Sequence, residues 1–85
     1  MAGRQLRVSV ISPEQKIFEG PADQVVVPAW DGERGILRGH APMLALLGEG
    51  QVRVRLGGSE QTFSVSGGFL QVADDVVTIL SERAV

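Results

Sequence analysis

The chain has 85 residues and a formal net charge of −2, with 44% hydrophobic and 21% charged residues. Domains usually span about 100–150 residues, so we expect one domain over residues 1–85. The apolar content excludes a disordered chain, and the absence of cysteine excludes disulfides and cysteine nucleophiles. Ten acidic residues against eight basic ones argue against nucleic-acid binding. No apolar run approaches the roughly 20 residues that span a bilayer, and no signal peptide is expected.

Short apolar runs separated by glycine and proline predict β-strands along the chain. From Leu6 to Ile11 and from Gln51 to Leu56, apolar and polar residues alternate, as in strands with one buried face. Gly57-Gly58-Ser59 and Asp74-Asp75 predict hairpin turns, and Gly67-Gly68 predicts a bulge or kink. The predicted strands are Leu6–Ile11, Lys16–Glu19, Gln24–Val27, Gly35–Leu37, Gln51–Leu56, Thr62–Ser66, Phe69–Val72 and Val76–Leu80.

The predicted fold is all-β, with no long helix. No segment sustains the 3.6-residue apolar period of an amphipathic helix, and Met43–Leu47 fits either one helical turn or a buried strand. Short strands at close spacing predict a sandwich or barrel, because one small sheet would leave an apolar face in water. Val25–Val27 and Val76–Ile79 are apolar on both strand faces. Strands of this kind are either fully buried or lie under a partner, and we expect at least one of the two to be an interface.

Residues suited to catalysis or metal binding are few. His40 is the only histidine and has no acidic residue within six positions, and tyrosine is absent. No G-x-S-x-G elbow presents a serine nucleophile, and the glycine pairs lack the Lys-Ser/Thr of a phosphate loop. The sequence therefore predicts no enzyme activity, no cofactor and no metal site.

The segment from Asp31 to Pro42 is unusual for a surface loop. It combines three glycines and a proline with four charged residues and the only histidine. Loops on a rigid β scaffold often perform recognition, which favours a functional interpretation. Alternatively, the glycines turn corners and His40 caps a backbone carbonyl.

Three motifs in order extend over almost the whole chain, from about Leu6 to Ala84. They are Gly32-Glu-x-Gly-Ile-x-x-Gly-His-Ala-Pro-Met-Leu44, then Val65-Ser-Gly-Gly-Phe69 with Val76-x-x-x-Leu80, and the opening strands with Val10-Ile-Ser-Pro-Glu14. Together they resemble the ε subunit family of F-type ATP synthases. Arg38 stands where that family usually has proline, which adds a positive charge to the loop.

The resemblance implies a two-sheet antiparallel β-sandwich of about ten short strands. It implies a non-catalytic rotor subunit of the central stalk that links the γ subunit to the membrane c-ring and couples ion-driven rotation to ATP synthesis. The complex would lie on the cytoplasmic face of the bacterial inner membrane, and the chain would meet the membrane only through it. Either H⁺ or Na⁺ fits as the coupling ion. The alternative is a free-standing, small-ligand-binding β-sandwich, which predicts a concave pocket with convergent polar groups.

Two sets of site residues follow. The γ-subunit interface is predicted, from the resemblance and from the doubly apolar last strand, to include Ser12, His40, Ala41, Pro42, Met43, Val77 and Ile79. The resemblance implies a c-ring contact at Asp31, Gly32, Glu33 and Arg34, with Glu33 facing basic ring loops.

Most members of the family continue into an α-helical hairpin after the sandwich. The sequence up to Val85 shows no helical period, so neither nucleotide binding nor inhibition by an extended hairpin is expected of these residues. A naturally short subunit and the first domain of a longer one both fit.

Overall fold

The computed structural model describes residues 5–85, and the first four positions of the predicted domain lie outside the described residues. Within this range the chain forms eight strands and no helix, so the all-β prediction is confirmed with fewer strands than the expected count of about ten. The strands are β1 Leu6–Ile11, β2 Lys16–Ala22, β3 Gln24–Ala29, β4 Gly32–Leu37, β5 Met43–Leu46, β6 Glu49–Leu56, β7 Ser59–Ala73 and β8 Val76–Ala84.

The stretch that fitted either a helical turn or a strand is strand β5, and the two predicted strands on either side of Gly67-Gly68 are one strand, β7. The hydrogen-bonded order is β2-β1-β8-β7-β6-β3-β4, with β5 also paired to β7. All pairs are antiparallel except β1 with β8, which is parallel and departs from the expectation. A parallel pair needs a long connection, and here most of the chain separates the two strands.

The 15-residue strand β7 divides the sheet into two layers. Its first half pairs with β6, and its second half pairs with β5. Layer one therefore consists of β4, β3, β6 and the first half of β7. Layer two consists of β5, the second half of β7, β8, β1 and β2. The end of β8 accompanies β7 back into layer one, where Ala84 pairs with Val65.

Strand β7 passes from one layer to the other at Gly67 and Gly68, whose φ angles are 69° and 112°. Ser66 lies opposite Arg83 and Gly68 lies opposite Ser81, so the register with β8 is the same on both sides. The glycine pair therefore forms a kink and not a bulge with an inserted residue. A Cβ atom at Gly68 would overlap the Leu80 carbonyl oxygen, so only glycine fits there.

Ser81 stabilises the crossing from the side of β8. Its side chain is buried, with 3% exposed. The Ser81 Oγ accepts the N–H groups of Ser66 at 3.1 Å and Arg83 at 3.2 Å, and it also bonds to the Arg83 carbonyl. One hydroxyl thus satisfies backbone groups that the kinked ladder does not pair.

The core lies between the inner faces of the two layers and is almost entirely aliphatic. Layer one contributes Val25, Val27, Ile36, Val52, Val54 and Val65, and layer two contributes Leu6, Val8, Val10, Leu70, Val72, Val77 and Ile79. Phe18 and Phe63 pack at one margin, with ring centroids 5.2 Å apart. Residues 5–85 contain no helix long and apolar enough to cross a bilayer.

Candidate interaction surface

The outer face of layer two presents apolar side chains that lie opposite one another on four strands. Leu46 in β5 pairs with Phe69 in β7, which pairs with Leu80 in β8. Leu80 in turn pairs with Ile11 in β1. Leu46, Phe69 and Leu80 are 52%, 50% and 45% exposed. We call these four residues the apolar row. Contiguous exposed apolar surface of this kind marks interaction sites in soluble proteins.

The alternation of side chains in β8 decides which of its apolar residues face outward. Val77 and Ile79 are fully buried, with 0% exposed, and lie in the core against β1. The prediction that these two side chains face a partner is therefore wrong. Val76 and Leu80, each 45% exposed, project from the opposite side of the same strand. Leu44 in β5, 71% exposed, adds to this outer face.

Met43 also differs from the prediction of an outward contact. It pairs with the buried Val72, and its side chain is partly buried and packs against the core. The Arg34 guanidinium lies 3.7 Å from the Met43 sulfur and joins the margins of the two layers. The next residue, Leu44, projects outward instead and, like Leu46, is an exposed apolar residue of β5.

Ser12 and His40 lie at opposite ends of layer two. Ser12 follows Ile11, at one end of the apolar row, and its Oγ donates to the Gln15 carbonyl at 3.1 Å. Near the other end of β1, the Arg7 N–H donates to the carbonyl of Asp75 at 2.8 Å. The Asp75 carboxylate accepts the Gly39 N–H at 2.7 Å and so fixes the loop that contains His40. Ile11 and Arg7, which mark these two ends, lie four positions apart on strand β1, or about 13 Å.

Contacts of His40 with neighbouring backbone carbonyls account for part of the conformation of its loop. The His40 Nδ1 lies 2.7 Å from the Ala41 carbonyl oxygen, and the His40 N–H donates to the Leu37 carbonyl at 3.2 Å. The interpretation of His40 as a cap of a backbone carbonyl is therefore confirmed. Ala41 and Pro42 are exposed beside it.

The residues predicted to meet the c-ring form the tip of the β3–β4 hairpin and the first part of β4. All four are exposed, and Gly32 has a φ of 130°. The Glu33 carboxylate pairs with Arg53 at 2.7 Å, and the Asp31 carboxylate pairs with Arg34 at 3.1 Å. Glu33 therefore already has a cationic partner within the chain, and a basic loop would join or replace Arg53.

The outer face of layer one is mainly polar, with Val26 and Leu37 as apolar residues among its polar neighbours. Arg55 pairs with Glu60 at 2.7 Å and donates to Gln24 at 3.0 Å, and Arg53 pairs with Glu33. Thr62 is the exposed neighbour of Arg53 on β7. The polar side chains of this face are hydrogen-bonded within the chain or hydrated.

An open groove of about 750 Å³ lies where the ends of several strands meet. Its lining includes Ser12, Glu14, Glu49, Glu82 and Arg83. In residues 5–85 every buried side-chain N and O atom has a hydrogen-bond partner, and no three His, Asp or Glu side chains are grouped to hold a metal. These observations do not test the small-ligand alternative, which stays a prediction.

Glu19, on strand β2 of layer two, has a lowered pKa. The Lys16 ammonium donates a 2.7 Å hydrogen bond to its carboxylate and holds the pKa of Glu19 below its ordinary value. The Arg7 guanidinium, at 3.5 Å, acts in the same direction. Glu19 pairs with Ser9, two residues along β1 from Ile11, and Lys16 pairs with Ile11 itself, so this charged cluster borders one end of the apolar row.

A two-layer sandwich with a mainly polar outer face on one layer and a row of exposed apolar side chains on the other defines a β-sandwich interaction domain. The sequence model of the ATP synthase delta/epsilon chain β-sandwich domain matches residues 5–85, and the chain belongs to this family. The resemblance inferred from the three motifs is confirmed, and so is the interpretation of the chain as an ATP synthase epsilon-type subunit rather than a catalytic one.

Named relatives agree in sequence and differ in length. The ATP synthase epsilon chain of Frankia casuarinae is 49% identical over 80 residues, which are 93% of this chain and 94% of the relative. That of Alkalihalophilus pseudofirmus is 48% identical over 79 residues, which are 59% of the relative. The chain therefore spans nearly all of one relative and about three fifths of the other.

Solved structures agree in fold. A chain of the Euglena gracilis mitochondrial ATP synthase, determined as OSCP/F1/c-ring in rotational state 1, has a TM-score of 0.87 and 28% identity, with coverage of 100% of this chain and 57% of that one. A chain of the Tetrahymena thermophila mitochondrial ATP synthase central stalk and c-ring has a TM-score of 0.77 at 15% identity, which shows the shared fold.

Proposed function

We propose that the chain works in the central stalk of a rotary ATP synthase, where it links the γ subunit to the c-ring and couples ion-driven rotation to ATP synthesis. The single observation that supports this role most directly is the apolar row, an exposed docking face on a member of the epsilon-chain family. In this role the chain lies on the cytoplasmic face of the bacterial inner membrane and is held there only through the complex.

The γ subunit docks on the outer face of layer two. Phe69 and Leu80 lie in the middle of the apolar row, where a well-packed partner would remove water from both side chains. Ser12 lies beyond one end of this face, and the loop with His40 lies beyond the other, so both are rim contacts. Apolar burial at the centre supplies affinity, and the polar rim fixes register.

The β3–β4 hairpin tip contacts the c-ring through Asp31, Gly32, Glu33 and Arg34. Glu33 and Arg53 form an exposed ion pair, which contributes about 0–1 kcal/mol. A basic group from a ring loop that approaches Glu33 would extend this pair into a small network. Its value lies in orientation more than in affinity, because charge complementarity at a rim mainly selects the arrangement of the partners.

Binding to isolated γ tests the docking face. Phe69→Asp places a charge in the middle of the apolar row and should weaken γ binding at least about 100-fold, measured by calorimetry. Leu37→Asp is the matched control, because Leu37 is 57% exposed and lies on β4 in layer one. It should change the affinity less than about twofold. Equal losses for the two variants, with both folded by circular dichroism, would contradict the docking face.

Proton pumping tests the ring contact. Glu33→Lys, in a complex assembled in inverted vesicles, should lower pumping per ATP hydrolysed more than it lowers assembly, because like charges at a rim are penalised. Glu60→Lys is the control, since Glu60 also pairs with an arginine of layer one but lies on β7. Normal pumping by the Glu33→Lys complex would remove Glu33 from the ring contact.

A further inference from the structure

Trp30 is the only tryptophan of the chain and is 69% exposed. It directly follows β3, where the buried Ala29 forms a bridge with the buried Leu47. The Trp30 N–H donates to the Leu46 carbonyl at 2.9 Å, so Trp30 lies beside Leu46. Because neighbouring positions on an extended chain face opposite sides, the indole shares the outer face with Leu46.

This placement lengthens the apolar row across a further segment of the chain. Trp30 stands next to Leu46, and Leu46 is paired with Phe69 at the start of the row. Five adjacent segments at about 4.8 Å spacing give a line of roughly 19 Å from Trp30 to Ile11. No other position of the row is as exposed as Trp30.

The turn itself does not require an indole. Trp30 and Asp31 are the two central residues between the paired Ala29 and Gly32. Such positions favour Gly, Pro, Asn, Asp or Ser, each for a local backbone reason that tryptophan does not meet. Within residues 5–85, the aromatic side chains in contact with one another are Phe18 and Phe63, and the Trp30 indole is not part of that pair. A contact outside the fold would explain the residue choice, because tryptophan is among the side chains enriched at the energetic centres of interfaces.

We propose that Trp30 is an anchor of the γ-binding face, and that the β3–β4 turn divides its residues between two partners. Trp30 contacts γ, whereas Asp31 and Glu33, with their internal arginine partners, point to the c-ring. The proposal rests on the proposed function and assigns a residue to γ that lies directly beside the ring contact in sequence. Docking of γ on Trp30 would then hold the ring-facing carboxylates in place.

A single tryptophan allows a direct test. The chain is labelled with 5-fluorotryptophan, which gives one ¹⁹F resonance, and is titrated with unlabelled γ while complex formation is followed by size-exclusion chromatography. We expect the resonance to shift and broaden in proportion to the complex, with no further shift when the c-ring is added. Trp30→Ala should weaken γ binding about 10–100-fold. Leu37→Ala, which removes an exposed leucine of layer one, should change it less than about twofold.

The other outcomes separate this inference from the proposed function. A complex with γ that leaves the resonance unmoved would overturn the role of Trp30 and leave the stalk function standing. A shift only after addition of the c-ring would assign Trp30 to the ring and overturn the division of the turn. A concentration-dependent shift without γ would assign the face to a second copy of the chain. Failure of the unmodified chain to bind γ at all would overturn both proposals.

Discussion

The two outer faces of the sandwich are built from strands with the same alternating pattern, yet they present opposite chemistry to water. On layer one the outward positions hold Arg53 and Arg55, each in an ion pair at 2.7 Å. On layer two the corresponding positions in the middle of the sheet hold Phe69 and Leu80, each about half exposed. Both faces cover equally buried aliphatic residues, so the core does not explain the difference.

The difference between the two faces lies in whether the outward side chains already have partners within the chain. The charged side chains of layer one find their partners within the chain and remain hydrated, so another protein would gain little by covering them. The apolar row is in contact with water, and its burial would be favourable by about 25 cal/mol for each Å² removed. A domain with one face of each kind docks in one orientation.

Gly68→Ala tests the kink where β7 passes from layer one to layer two, and it should have the largest effect on stability. The added methyl group overlaps the Leu80 carbonyl, and the φ of 112° is strained for any residue with a Cβ atom. We expect a loss of about 3 kcal/mol or more in the free energy of unfolding, measured by urea denaturation. Gly58→Ala, where a Cβ meets nothing within 4 Å, should change it by less than about 0.5 kcal/mol. Similar stabilities for the two variants would refute the steric account of the kink.

Glu33→Gln probes the polar face. Removal of the pair with Arg53 should cost about 0–1 kcal/mol at low salt and less in 1 M NaCl, because both side chains are partly exposed. A double-mutant cycle with Arg53→Gln, followed by chemical denaturation, isolates the pair. A coupling above about 2 kcal/mol would mean that layer one depends on this pair far more than its exposure predicts.

Leu44→Thr probes the apolar face and should have a smaller effect on folding. Leu44 is 71% exposed, and threonine suits a strand, so the free energy of unfolding should change by less than about 0.5 kcal/mol while γ binding weakens. Leu70→Thr, at a fully buried neighbouring position, is the control and should cost several-fold more. If Leu44→Thr destabilised the chain as much, the apolar face would serve folding and not docking.

Glu19 provides the smallest expected effect. The pKa of its carboxyl is lowered in the folded state, chiefly by Lys16, so the stabilisation is present above the unfolded value of about 4.3 and is lost as pH falls through the folded value. A ¹³C titration of the Glu19 carboxyl should show the lowered pKa in the parent chain and in Lys16→Arg. In Lys16→Gln the pKa should return toward its ordinary value. An unchanged titration in Lys16→Gln would exclude Lys16 as the cause.

The strands could be predicted from sequence because their signals are local. Period-two alternation located β1 and β6, and the turn residues Asp74 and Asp75 adopt the positive φ angles of 51° and 63° that a tight hairpin needs. Local signals do not determine which alternate residues face the core in a strand that is apolar on both sides. For this reason Val77 and Ile79 were predicted to face outward, whereas pairing with β1 turns them into the core.

The docking face could not be predicted in the same way, because it is a property of pairing. Ile11 and Leu80 lie 69 positions apart in the chain and become neighbours only through the parallel contact of β1 with β8. The ion pair of Glu33 with Arg53 likewise depends on the placement of β4, β3 and β6 side by side. The single tryptophan is evident from the sequence, but the hydrogen bond to Leu46 that aligns it with the row is not.

Strands β7 and β8 run through both layers, and this continuity has a mechanical consequence. In a sandwich of two separate sheets, a sideways force on one sheet reaches the other only across aliphatic contacts, which resist sliding weakly. Here a force on the apolar row enters β7 at Phe69 and continues along covalent backbone through Gly68 into layer one, with β8 hydrogen-bonded alongside it. The two layers therefore move together as one stiff body. Such stiffness suits the proposed transfer of torque between the γ subunit and the c-ring.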